Sequence, residues 1–189
     1  MKSTPLIFFI MLIGCSTFQI TNNEFMPLSV GNRWTYDSNN KREIISTDTI
    51  NNKIFYKFKN LVVNNGETLE SFYWQRTSND TLFLLNYDSS INQFVESIDA
   101  IFSLNKNDIA QIHLNINDSV SQNDINFVPH CRDYSIKVLD KSDETIEFEI
   151  QRCGVDFNYS VIYKRGVGIV KSKNDWGLVT KLSDFKFNN

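Results

Sequence analysis

Histidine is nearly missing from this chain, with only His113 and His130 among 189 residues. No H-E-x-x-H run, Ser-His-Asp signature or Asp-x-Asp-x-Asp-Gly calcium loop occurs. Acidic residues are scattered, so no carboxylate pair can be nominated for glycoside hydrolysis. No catalytic residue, metal ligand set or cofactor site is therefore assigned. Basic excess is also absent. The formal net charge is −3, which gives nucleic acid or an anionic lipid surface nothing to respond to. Glycine (7) and proline (3) are scarce while apolar residues make up 41%, which excludes a disordered chain. The apolar run from Pro5 to Ile13 is nine residues long, against the roughly 20 that a membrane-spanning helix needs. Cysteine is limited to three residues, Cys15, Cys131 and Cys153.

What is present begins with that short apolar run. Lys2 supplies a positive flank and the run itself has the length of a signal-peptide core. It ends in Leu12-Ile13-Gly14-Cys15, which resembles a bacterial lipobox. The resemblance implies a signal peptide over residues 1–14, cleavage after Gly14, and acyl chains such as palmitate on Cys15. Each buried CH₂ contributes ~0.8 kcal/mol, so one chain holds weakly and two or three hold firmly. Residues 15–24 then form the lipidated tether and residues 25–189 a single domain. Ser16 stands where an aspartate resembles an inner-membrane retention signal, and residues 16–23 carry no acidic run of the kind that resembles a surface-export signal. The expected place is the cell envelope, anchored by lipid to the outer membrane and facing the periplasm.

The domain is rich in rings: 13% of residues are aromatic, with 15 Phe. Short β-prone runs recur at residues 41–48, 53–63, 68–77 and 81–87, separated by turn signals such as Asn64-Asn65-Gly66 and Ser78-Asn79-Asp80. Trp34 and Tyr36 alternate with Thr35, which puts their rings on one inward face; that face reads as core before it reads as a ligand platform. Residues 91–104 place Ile91, Phe94, Val95, Ile98, Ile101 and Phe102 at helical spacing. A short helix or loop is expected there, followed by a strand from about Asp99. Residues 109–124 are polar with scattered apolar positions, and suit one edge strand or a long loop. The fold class is all-β, a single antiparallel meander forming a curved sheet or barrel-like sandwich, with at most one short helix.

Residues 131–153 read as a hairpin. Folded about Ser142, residue i faces residue 284 − i: Val138 faces Ile146, Ile136 faces Phe148, Tyr134 faces Ile150, and Lys137 meets Glu147 on the other side. The same register sets Cys131 opposite Cys153. With Cys15 used by the anchor, these two form an even pair in an oxidising compartment, and a disulfide is the first expectation. The closed loop would contribute roughly 3 kcal/mol in the chain-entropy account. His130 beside Cys131, with Cys153 near, has the residue types for zinc, copper or a catalytic thiol; the bridge uses the same sulfurs. Gly166 and Gly168 make a G-x-G without a third glycine or a following helix, which fits a bulge better than a phosphate loop.

The segment Phe25-Met26-Pro27-Leu28-Ser29-Val30-Gly31-Asn32-Arg33-Trp34-Thr35-Tyr36, shortly after a lipobox, resembles the opening of a broad group of Bacteroidetes lipoproteins. The stretch from Tyr163 to Ser172, containing Gly166-Val167-Gly168-Ile169-Val170-Lys171, with Trp176-Gly177 and Leu182 after it, is similar to that group's close. The resemblance implies an all-β domain and an envelope location, and brings no activity with it. The functional expectation is a non-catalytic envelope lipoprotein that binds a protein partner or an apolar small molecule, and no nucleic acid. The alternative is a hydrolase-like envelope enzyme with a loop-built site in residues 109–124.

Overall fold

A computed structural model describes residues 24–37, 40–64, 66–88, 93–113, 133–152, 158–174 and 176–188. They form twelve strands in chain order: β1 (Arg33–Tyr36), β2 (Lys41–Ile50), β3 (Lys53–Asn64), β4 (Glu67–Ser78), β5 (Thr81–Asp88), β6 (Gln93–Ile101), β7 (Ile109–His113), β8 (Asp133–Lys141), β9 (Thr145–Arg152), β10 (Tyr159–Lys164), β11 (Gly168–Asn174) and β12 (Val179–Lys186). All pair antiparallel in one sheet of order β6-β5-β4-β3-β2-β1-β12-β11-β10-β9-β8-β7. This is an up-and-down meander rolled into a nearly closed barrel. The first strand pairs with the last, and the seam falls between β6 and β7.

Local chemistry explains the hairpins. Asn51 and Asn52 (φ 51° and 60°) and Asn79 and Asp80 (φ 48° and 59°) put two left-handed residues in each of two tight turns. That geometry matches strand twist, and Asn and Asp tolerate it. Register shifts occur on five strand pairs, between Thr35/Tyr36, Ile44/Ser46, Leu82/Phe83, Val138/Asp140 and Ile162/Tyr163. Such bulges bend and coil a sheet, which is what rolling it up requires.

The opening and closing motifs meet. Trp34 is 1% exposed, and its indole Nε1 donates to the Val167 carbonyl at 2.6 Å. Tyr36 donates to the Ile169 carbonyl. Gly166 N donates to Glu24 O, and the Arg165 guanidinium lies 4.4 Å from the Phe25 ring centre. Gly168 has φ +94°, and a Cβ there would come within 3.0 Å of Met26 Sδ and 3.4 Å of Trp34 Nε1. Glycine is required at this point for both conformation and room. Asn32, 2% exposed, donates to Pro27 O and accepts from Asn188 N. Phe25, Met26 and Phe102 plug the adjoining end, where Phe102 packs against Phe25, Tyr163 and Phe148 at ring separations of 5.0, 5.2 and 6.0 Å.

Two expectations need correction. Residues 93–101 are strand β6, paired along its length with β5, and not helix or loop. Leu82 pairs with Ala100 and Phe83 with Ile98, so Asp99 is the extra residue of a bulge. A one-residue phase slip, with apolar side chains on both faces, imitates helical spacing. The β8–β9 register is also shifted by two. Ile136 faces Ile150, Val138 faces Phe148 and Lys137 faces Glu149, with the bulge at Leu139. The turn is set by Ser142, whose N donates to Thr145 O while its Oγ accepts from Thr145 N. An even slip keeps every apolar side chain on the same face, so alternation cannot distinguish the two registers. The register argument that set Cys131 opposite Cys153 therefore falls; the cysteines themselves lie outside the described residues.

Candidate ligand cavity

Among the described residues the barrel is filled at its plugged end and hollow at the other. On β2, β3 and β4 the inward side chains form stacked rows. Ile44, Phe58 and Tyr73 are cross-strand neighbours, and the Phe58 and Tyr73 rings stack 4.9 Å apart. One row further up come Arg42, Asn60 and Ser71, again direct neighbours. The apolar layer is a floor and the polar layer is the wall of a cavity of about 790 Å³. That size lies within the usual range for small-molecule sites. Tyr159, Val161 and Tyr163 from β10 line the opposite wall, and Trp176 and Leu178 stand at the mouth, 77% and 66% exposed.

Asp99 organises one side of the cavity. Its bulge turns the carboxylate inward, where Gln75 Nε2 and the Tyr163 hydroxyl donate to Oδ2, both at 3.2 Å, and the Tyr159 hydroxyl donates to Oδ1 at 3.5 Å. Burial, then the Asp99 charge, hold the Tyr163 phenol well above its ordinary value. Burial likewise raises Tyr36 and pushes Tyr73 up to about 12, against the pull of Arg42. These are neutral phenols, and they act as hydrogen-bond groups rather than as charges.

Arg42 faces them from β2. Its Cζ lies 5.3 Å from the Tyr36 ring centre, a cation–π contact. Its pKa is raised by the electronegative surroundings, Tyr73 foremost, and lowered by burial. Arg42 lies close enough to the Tyr36 and Tyr73 hydroxyls to pull both phenols down, and it forms no ion pair among the described residues. Tyr73 Oη and Gln75 Oε1 are buried without a hydrogen-bond partner among the described residues. Two polar atoms beside Arg42 thus line one hollow with unused capacity.

A second aromatic group lies outside, on β3–β6. Phe55 and Leu85 are buried there at 1% and 2% exposure. Arg76 lies 3.9 Å from the Phe83 ring centre while bridging to Glu96, which also holds Lys53. Trp74 donates to Asp48. The chain covers this cluster with its own cations.

Of the residues singled out from sequence, Tyr36, Tyr163 and Trp176 line the cavity, while Trp34 belongs to the core. Cys15, His130, Cys131 and Cys153 lie outside the described residues, and His113 ends β7 with its side chain outside the description. Asn105 to Asp108 is a turn closed on itself, with Asp108 Oδ2 accepting from Asn105 N. Among the described residues no three His, Cys, Asp or Glu side chains gather for a metal. Arg42, Tyr73, Gln75 and Asp99 were missed. A usable signal exists for Arg42, which shares strand parity with the inward Ile44.

No family model and no curated protein matches the chain. A candidate lipoprotein from Parabacteroides distasonis, known as a crystal structure, is similar over 87% of this chain and 99% of its own, at 12% identity and a TM-score of 0.41. At that score the likeness carries no argument, and the site stands on its own geometry.

Proposed function

We propose that the chain is a lipid-anchored, non-catalytic protein of the bacterial cell envelope that holds a small amphipathic or apolar molecule in the open end of its barrel. The single observation behind the binding role is the cavity of about 790 Å³, floored by rings and walled by polar residues, of which Tyr73 Oη and Gln75 Oε1 have no hydrogen-bond partner among the described residues. The anchor rests on Leu12 to Cys15, and the outer-membrane, periplasm-facing place on Ser16 and the missing acidic run. The Cys131–Cys153 disulfide belongs to the same proposal, on the even pair in an oxidising compartment. A protein partner receives less support, because the outer aromatic cluster is already occupied by Arg76 and its ion pairs. The hydrolase-like alternative would need a site in residues 109–124, of which β7 takes the first five.

The test is native mass spectrometry of the mature chain with Cys15→Ser, purified from its own envelope. The expected result is a complex heavier than the chain that loses a small molecule on denaturation. A bare chain mass, again bare after incubation with an envelope lipid extract, would overturn the binding role.

A further inference from the structure

Resting on that cavity reading, we infer that the ligand is a monoanionic carboxylate with an apolar body, and that Arg42 binds its headgroup. Arg42 is a planar, permanently charged group with five N–H donors, and none meets a carboxylate or carbonyl acceptor among the described residues. It sits on the cavity wall, with Tyr73 Oη beside it free to donate and the rings of Phe58 and Tyr73 stacked below. A carboxylate matches one guanidinium in a two-pronged contact, the strongest form of this hydrogen bond.

Charge selects a monoanion over a phosphate dianion. Among the described residues, the charged side chains lining the cavity are Arg42, Asp99 and, at the rim, Lys173, a balance of one positive charge. Asp99 is engaged by Gln75, Tyr159 and Tyr163 and does not cancel Arg42 by contact. Its negative charge still lies close enough to penalise a second charge on the ligand. The apolar body then has Val161 and Ile169 along the wall and Trp176 and Leu178 at the mouth.

The test uses the mature Cys15→Ser chain, stripped of bound lipid, with sodium laurate and 1-dodecanol as probes of equal chain length, titrated by calorimetry. Laurate is expected to bind at least about tenfold more tightly than dodecanol. Arg42→Met should remove that preference, and Arg42→Lys should lie between, since it keeps the charge and loses the fork. Equal binding of the two probes by the unaltered chain, or unchanged laurate binding in Arg42→Met, would overturn the headgroup assignment while leaving the cavity reading intact. Failure of both probes to bind the unaltered chain would count against the cavity reading itself. If circular dichroism shows Arg42→Met unfolded, the laurate-to-dodecanol ratio and Arg42→Lys decide the matter.

Discussion

Tyr36, Tyr73 and Tyr163 are the same phenol placed where ionisation is costly. Burial is the main cause in all three, with Asp99 adding to it at Tyr163 and Arg42 working against it at Tyr36 and Tyr73. A group whose folded pKa exceeds its unfolded value stabilises the fold fully below the unfolded pKa. That value is near 10 for tyrosine, and the stabilisation is lost as pH climbs through the folded value, about 12 for Tyr73. We predict an alkaline transition between those limits in which these three of the seven tyrosines ionise together with unfolding, read by absorbance at 295 nm beside far-ultraviolet circular dichroism. Ionisation of all seven near pH 10 with the β signal intact would contradict it. None of this was legible in sequence, because a tyrosine on an alternating strand looks the same above a filled floor as within it.

At the scale of elements, the weak point is the seam. β6 and β7 are consecutive in the chain but not hydrogen-bonded as strands. Tyr134 on β8 closes part of the gap: its hydroxyl accepts from Ile98 N at 2.8 Å and donates to Ile98 O. Nearby, Lys141 Nζ donates to the Phe102 and Leu104 carbonyls. Tyr134→Phe keeps the ring and leaves both Ile98 backbone groups unserved, at a cost of roughly 1–3 kcal/mol. Faster amide exchange at Ile98 and a lower urea midpoint are expected. Unchanged exchange would mean that the seam is held by other contacts. Most hairpins were readable in advance, since Asn and Asp at turns and period-two runs are local signals. β6 and the β8–β9 register were not. The Asp99 and Leu139 bulges shift phase by one residue, and nothing local marks them.

For the whole molecule, the two recognisable sequence motifs serve closure. Trp34, Gly168, Asn32 and Arg165 join the chain's first strand and plug to its last turns. This gives a structural reason for finding such motifs at both ends of a chain whose middle is less distinctive. In the proposed reading, acyl chains on Cys15 are the source of membrane affinity. Detergent-phase partition should therefore track Cys15 alone: the mature wild-type chain enters the Triton X-114 phase and Cys15→Ser stays in water. A Cys15→Ser chain that still entered the detergent would show that the fold itself binds membranes.

Sequence by itself determined the all-β meander, the inward faces of β1, β8 and β9, and most of the turns, because these depend on neighbours within a few residues. Only the tertiary structure decided what the barrel holds. Arg42, Tyr73, Asp99 and Tyr163 come from β2, β4, β6 and β10, and parity shows that each faces inward or lies at a bulge. Their meeting around one cavity is set by register, register is set by turns and bulges, and a two-residue alternation is blind to both.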